Sequence, residues 1–420
     1  MLKPIIGYAL CLLIALCLSE NKKEAIDKNW KPILCGIFFQ VVIIFALTNL
    51  PIFVSAIEGI AKGIMKLKDA TIEGTKFVFG YIGGAELPFE LAGNGTPFVF
   101  AFQVLPTIIL VGMLSAILTY LKVLPFLARV IGYFFKLVFK IKEPIGMVAA
   151  AKVFMGQLEA PLLIKNKLES LHKSDIFIIL TLAFATTSAS VMPIYASALE
   201  KVCANPMKHI IISSVVSVIS VLIISIIMMP ANQNDIELSI DKEDVRLPYG
   251  SFMEAMSKGL SDGFFVWWCI VGSLIGMVAL IALLNHLCEF LPSWGEAPIT
   301  LQRIFGLFMY PFAWFIGIEN QDLTSVSQIL GTKMALNETI AFFDLAKANI
   351  SADSVIKTIY AINNFGNFAC IGITVGGLSA LAPGQKCIAK LAGKAFIAGF
   401  LAIGLSATLA SIFLFYGIDL

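Results

Sequence analysis

The sequence predicts an all-α integral membrane protein of eight transmembrane helices plus two opposed re-entrant hairpins in an inverted repeat, with amphipathic helices lying in the interface. Three observations carry this. The 420 residues are 58% hydrophobic and only 14% charged, with mean hydropathy +0.89. A soluble domain is about one quarter charged, so the bilayer is the solvent for most of this chain. Charge-free runs long enough to cross recur along the whole length. Two short apolar segments, 145–164 and 328–343, each hold a lysine and a carboxylate, and each precedes a longer run interrupted by small polar residues. A charge at the bilayer centre costs about 2.5–3.5 kcal/mol or more, so ionisable residues in such segments point to function.

In chain order, residues 5–18 form an apolar run after Lys3. Leu16 precedes Cys17 where a lipoprotein cleavage site wants a small residue, so this is read as an uncleaved first span. Lys22, Lys23, Lys28 and Lys31 follow it, which by the positive-inside rule makes that loop cytoplasmic and the N-terminus external. Residues 32–57 make the second span with an interfacial extension. Lys62, Lys66 and Lys68 are spaced as on an amphipathic helix in the outer interface, with Gly-rich turns after it, across 74–80. Residues 91–121 carry no charge and form the third span. Lys122, Arg129, Lys136, Lys140 and Lys142 then alternate with Phe, Leu and Val as an interfacial helix on the cytoplasmic side.

The first hairpin follows. Gly156, Gln157, Leu158, Glu159, Ala160 and Pro161, with Lys152 upstream, place an amide and a carboxylate inside an otherwise apolar segment too short to cross and come back as ordinary helix. The fourth span starts at Asp175 and is interrupted over 185–193 by small hydroxylated residues ending at Pro193. Residues 210–230 are the fifth span, and 235–246 the one clearly soluble loop. Residues 249–258 read as another interfacial helix and 264–287 as the sixth span, anchored by Trp267 and Trp268. The second hairpin contains Lys333 and the pair Asn337 and Glu338. The run 358–385 is interrupted by Asn363, Asn364, Gly366 and Asn367, and 395–416 spans last. This divides the chain into scaffold spans (1–121), a first repeat (122–230; hairpin 143–172, broken helix 176–199), a connecting unit (231–303) and a second repeat (304–420; hairpin 320–348, broken helix 354–385).

The two halves keep one spacing. Ser188 follows Glu159 by 29 residues (188 − 159), and Asn367 follows Glu338 by 29 (367 − 338). Span counting opens the hairpins to opposite faces, the inverted arrangement in which secondary transporters place substrate at the midplane between broken helices. Two carboxylates with amides and hydroxyls suit a neutral, polyhydroxylated solute carrying a heterocycle, since carboxylates accept from sugar hydroxyls and amides match the edges of a base. Other classes find little support. Net charge is +2 with scattered basic residues, which argues against nucleic acid. The eight cysteines include no CxxC pair, and the three histidines form no HExxH. There is no P-loop, so ATP is not the expected energy source, and no cofactor is expected. An intramembrane enzyme using Glu159 and Glu338 as acid and base lacks a nucleophile or metal beside them.

Gly156-Gln157-x-Glu159, Asn337-Glu338 and Phe365-Gly366-Asn367-Phe368, preceded by Gly74-Thr75-x-Phe77-Val78-Phe79-Gly80, resemble the bacterial concentrative nucleoside transporters over essentially the whole chain. The resemblance implies a homotrimeric inner-membrane symporter of nucleosides with a cation. It implies that Gln157, Leu158, Glu159 and Val191 face the nucleobase, and that Glu338, Phe365, Asn367 and Cys370 hold the ribose. Three positions depart from the family. Leu158 replaces a small hydroxyl residue, Cys370 replaces a Ser, and Lys152 stands where sodium-coupled members carry an Asn that ligates sodium. An ammonium does not ligate sodium and repels it. Lys152 is therefore read as a tethered positive charge balancing Glu159, with transport sodium-independent and coupled to protons. Met155, Thr186 and Thr187 complete the coupling region and keep open a sodium-coupled alternative. An uncoupled facilitator is a further alternative, and a Lys152 that snorkels to the cytoplasmic interface is the structural one.

Overall fold

The computed structural model describes residues 2–90, 98–230, 249–290 and 299–415. The start of the third span and the acidic loop 235–246 lie outside these. Among the described residues every regular element is helical, and five helices are long and apolar enough to cross a membrane: Trp30–Asn49, Phe100–Tyr120, Pro206–Met228, Phe252–Cys288 and Ile388–Phe415.

The chain opens with α1 (Leu2–Cys17), α2 (Trp30–Asn49) and α3 (Pro51–Phe79). The second apolar run ends earlier than the hydropathy implies. Pro51 has no N–H to donate and forces Leu50 into an extended conformation (φ −81°, ψ 120°), so a new helix starts there and takes residues 51–57 with it. That helix also runs through Gly74. The turn begins only at Gly80 and closes at Gly84, both at positive φ. After α4 (Phe100–Gln103) and α5 (Thr107–Tyr120), the amphipathic α6 (Val123–Phe139) leads into the first half.

That half consists of α7 (Glu143–Ala151), α8 (Glu159–Leu162), α9 (Lys173–Ala185), α10 (Met192–Leu199) and α11 (Pro206–Met228). Next comes α12 (Phe252–Cys288), one continuous helix of 37 residues. This corrects the reading of 249–258 and 264–287 as separate elements. At 1.5 Å per residue the helix is roughly 55 Å long, well beyond the thickness of a bilayer core. Of its tryptophan pair only Trp268 is exposed; Trp267 is buried and donates through Nε1 to the Ala101 carbonyl at 2.9 Å. The second half repeats the first: α13 (Leu301–Phe315), α14 (Leu323–Ala335), α15 (Glu338–Lys347), α16 (Ala352–Ile362), α17 (Phe368–Leu381) and α18 (Ile388–Phe415). The sequence reading had no helix at α13, which carries Pro311 in its interior.

The repeat extends to packing. In each half an amphipathic helix crosses the first arm of a short helical pair at a glycine contact. A Cβ on Gly146 would lie 2.3 Å from the Gly132 carbonyl oxygen, and one on Gly331 would lie 2.6 Å from the Gly306 amide nitrogen. Backbones approach this closely only where both residues lack a side chain. Each pair is also tied at its base to the broken helix that follows. Lys142 pairs with Asp175 at 2.7 Å in the first half. In the second, Asp322 accepts from the Ser351 hydroxyl at 2.8 Å and its amide at 3.1 Å. The long α11 and α18 are mostly buried and form the centre, with α1 and α9 against α18, whereas α12 is largely exposed and packs on α5.

Candidate functional site

Both carboxylates singled out in the sequence occupy the first position of the second arm of their helical pair, Glu159 opening α8 and Glu338 opening α15. Negative charge is favoured there because the first-turn amides are unpaired and point at it. Glu159 accepts from the Gly156 amide at 3.0 Å. Asn337 caps α15, its Oδ1 accepting from the Ile340 amide at 3.0 Å. Neither arm continues the helix before it: α7 stops at Ala151 and α14 at Ala335.

The two broken helices meet where they unwind. α9 ends at Ala185 and α10 begins at Met192; α16 ends at Ile362 and α17 begins at Phe368. Across the gap the Phe365 amide donates to the Thr186 carbonyl at 3.4 Å, and a Cβ on Gly366 would lie 3.1 Å from the Phe184 carbonyl oxygen. The Thr186 hydroxyl turns back onto Leu182 O at 2.7 Å, the ordinary habit of Thr in a helix, while Thr187 is buried beside the Tyr195 hydroxyl. The carbonyl, not the hydroxyl, is what Thr186 contributes to this junction.

Around Glu338 the polar groups are closely matched. Tyr195 donates to Oε1 at 2.9 Å and Asn367 Nδ2 donates to Oε2 at 3.3 Å. Asn367 uses its other end, Oδ1, to cap α17 by accepting from the Cys370 amide at 2.9 Å. The amide side chain offers a donor at one end and an acceptor at the other, one for each task. Lys333 donates to the Gly366 carbonyl at 2.5 Å. The link to the first half is Gln157, which accepts from the Thr374 hydroxyl at 3.2 Å and donates to the Cys370 sulfur at 3.6 Å. The thiol is a weak acceptor, so that bond is the one most readily exchanged for a ligand.

Glu159 faces elsewhere. It lines a cavity of about 480 Å³ with Met155 and Ser190, together with Ser115 of α5, Asp262 of α12 and Tyr249 just before α12. Burial, with Asp262 and Glu159 nearby, raises the Tyr249 phenol above its ordinary range. Glu338 is not among the residues that line this cavity. Lys152 caps the C-terminal end of α7. It is 1% exposed, its ammonium has no hydrogen-bond partner among the described residues, and it lies 5.9 Å from the centre of the Phe365 ring. Glu159 and Cys370 are the titratable groups within its electrostatic reach. The side chain does not snorkel to the surface.

The remaining predicted residues divide. Phe365, Asn367 and Cys370 gather with Glu338 or Lys152 as described. Val191 is buried in the core just before α10, and Leu158 packs into the notch at Gly377 on α17, where a Cβ would lie 2.3 Å from its Cδ1. Sequence reasoning missed Tyr195 and Thr374 and gave Lys333 no role. Tyr195 is fully buried and stacked on Phe342 at 4.3 Å, and a buried phenol needs a partner.

Comparison with known proteins agrees with this architecture. The N-terminal model of the Na+ dependent nucleoside transporters matches residues 6–82, a nucleoside-recognition model matches 101–202, and the C-terminal Na+ dependent nucleoside transporter model matches 209–411. An uncharacterized transporter of Haemophilus influenzae is 30% identical, the match covering 99% of this chain and 98% of that one. Nucleoside permease NupC of Helicobacter pylori is 28% identical over 98% and 97% of the two chains. Solute carrier family 28 member 3 of Mus musculus is 28% identical over 97% of this chain and 58% of its own length. Among solved structures, CNTnw in an inward-facing substrate-bound state superposes with a TM-score of 0.87 at 28% identity over 98% of each chain. A doubly substituted CNTnw in an outward-facing state gives 0.88 at 28% identity over 99% of each.

Proposed function

This chain belongs to the Na+ dependent nucleoside transporter family, and on that footing we propose that it imports nucleosides by symport with protons and without sodium. The base is read by Gln157 and Glu159, bounded by Leu158 and Val191. The ribose hydroxyls donate to Glu338, with Asn367, Phe365 and Cys370 completing the pocket. Substrate entry exchanges the weak bond from Gln157 to Cys370 for one to the base, so recognition begins where the empty site is least well satisfied.

The observation that carries the coupling proposal is Lys152. A buried ammonium without a hydrogen-bonding partner is costly, and it stands at the end of the first arm, against the Phe365 face and within reach of Glu159. Its charge supplies locally what a bound sodium ion would bring, and a second cation beside it is repelled by about 3 kcal/mol at roughly 5 Å and an effective dielectric near 20. Met155, Thr186 and Thr187 frame the same region. The Thr186 carbonyl accepts from the Phe365 amide at 3.4 Å and keeps its second lone pair, so it is the oxygen through which the sodium-coupled alternative would act.

The short helical pairs are read as re-entrant hairpins entering from opposite faces. Counting α1, the five long apolar helices and the two broken helices gives eight spans, with the N-terminus outside and the chain in a bacterial inner membrane. The exposed apolar side chains Phe264, Phe265, Trp268 and Ile275 of α12 suit a lipid-facing or subunit-facing surface, and the homotrimer rests on family membership alone. The test is uptake of labelled uridine into proteoliposomes. Accumulation above the external concentration that a protonophore abolishes and sodium leaves unchanged is the expected result. Uptake that only equilibrates would make the protein a facilitator, and competition by free ribose but not by nucleosides would overturn the substrate assignment.

A further inference from the structure

Lys333 is a buried charge that coupling through Lys152 leaves unused. It lies in the last turn of α14, 2% exposed, and its ammonium donates to the carbonyl of Gly366 at 2.5 Å. That carbonyl belongs to the unwound stretch between α16 and α17, where no helical amide reaches it, so a side-chain donor has to. Glu338 and Cys370 are the titratable groups within electrostatic reach of Lys333. A Cβ on Gly366 would approach the ammonium to 3.3 Å and the Phe184 carbonyl oxygen to 3.1 Å. The lysine is thus seated at the junction of both broken helices, beside Phe365 and Asn367.

We propose that Lys333 is the positioning residue of the ribose end: its ammonium holds the 363–367 break in place through Gly366 and balances the carboxylate of Glu338, so that Glu338 and Asn367 are presented together to the ribose hydroxyls. The inference rests on the assignment of Glu338 and Asn367 to the ribose. It gives the halves the same internal pairing, Lys152 with Glu159 and Lys333 with Glu338, each lysine ending the first arm of a hairpin and each glutamate opening the second.

The test is a set of calorimetric affinities on the full-length purified protein, using uridine, 2′-deoxyuridine, 3′-deoxyuridine and cytidine. If the wild-type chain binds none of them, the nucleoside assignment itself fails. If it binds uridine and loses about tenfold or more on removal of a ribose hydroxyl, Lys333→Met is expected to weaken uridine by at least that factor. It is also expected to reduce the hydroxyl penalty to about twofold or less, with the ratio of uridine to cytidine affinity unchanged. Glu338→Gln combined with Lys333→Met is expected to lose clearly less than the product of the two single losses, because part of the action of Lys333 is through Glu338. A hydroxyl penalty that persists in Lys333→Met, an equal loss of base preference, or additive effects in the double variant would overturn the proposal. Should Lys333→Met fail to yield folded protein, Lys333→Arg serves. It keeps the charge and is expected to retain the hydroxyl penalty; losing that penalty would overturn the proposal in the same way.

Discussion

Replacing Lys152 by Met separates a structural from a functional ammonium. The side chain is 1% exposed, makes no hydrogen bond among the described residues, and lies over the Phe365 ring at 5.9 Å. Desolvating an ion carries an effective penalty of several kcal/mol, so an apolar group of similar shape in place of this ammonium is expected to gain roughly 2–3 kcal/mol. The lost cation–π contact subtracts about 0.5–2 kcal/mol. The remaining partner, Glu159, faces a cavity and is not left as an uncompensated buried charge. The net expectation is a gain of about 1–2 kcal/mol, read as a rise of a few degrees in the thermal midpoint of the detergent-purified protein. Concentrative uptake of uridine is expected to vanish at the same time, because the tethered charge is gone. A variant that melts several degrees lower, or that accumulates uridine at the wild-type rate, would refute the reasoning, the first by making the ammonium structural and the second by making it idle.

Three other perturbations test separate parts of the account. Glu338→Gln replaces a charged acceptor by a neutral amide and is expected to weaken nucleoside affinity about tenfold to a hundredfold by calorimetry, with base preference retained; unchanged affinity would remove Glu338 from the site. Gly331→Ala places a methyl 2.6 Å from the Gly306 amide nitrogen and is expected to lower the thermal midpoint markedly, whereas Gly272→Ala, with nothing within 4 Å, leaves it unchanged or slightly higher. Lys142→Ala strands Asp175 in a buried setting and is expected to cost about 3–5 kcal/mol in denaturation, while the double change Lys142→Met with Asp175→Leu recovers much of it.

Much of this architecture was legible because the bilayer imposes simple requirements. Charge-free runs mark the long helices, and Gly, Ser, Thr and Asn clusters mark the breaks, since only such residues allow backbone to unwind where it lines polar surroundings. The continuity of α12 was hidden because Lys258 and Asp262 lower the local hydropathy, although both line the cavity beside Glu159. Pro51 ended a helix that hydropathy alone would have continued. Thr374 could not be singled out because a Thr hydroxyl in an apolar helix most often bonds its own backbone, and Tyr195 because an aromatic residue in an apolar run reads as core until its phenol is seen to reach Glu338. The equal 29-residue spacing fixes register within each half but says nothing of how the halves are rotated, so the contacts of Gln157 with Cys370 and Thr374 across the halves emerge only from the fold. Lys152 was legible as a departure from a family pattern; its burial and lack of a partner emerge only from the packing of Phe365 against it.

The most direct measurement is the initial rate and final accumulation of labelled uridine in proteoliposomes held at a fixed inward proton gradient, with sodium first absent on both sides and then imposed as an inward gradient. The account predicts full accumulation without sodium, no increase when sodium is added, and collapse when the proton gradient is dissipated. Accumulation that requires the sodium gradient, or that survives loss of the proton gradient when sodium is present, would contradict it.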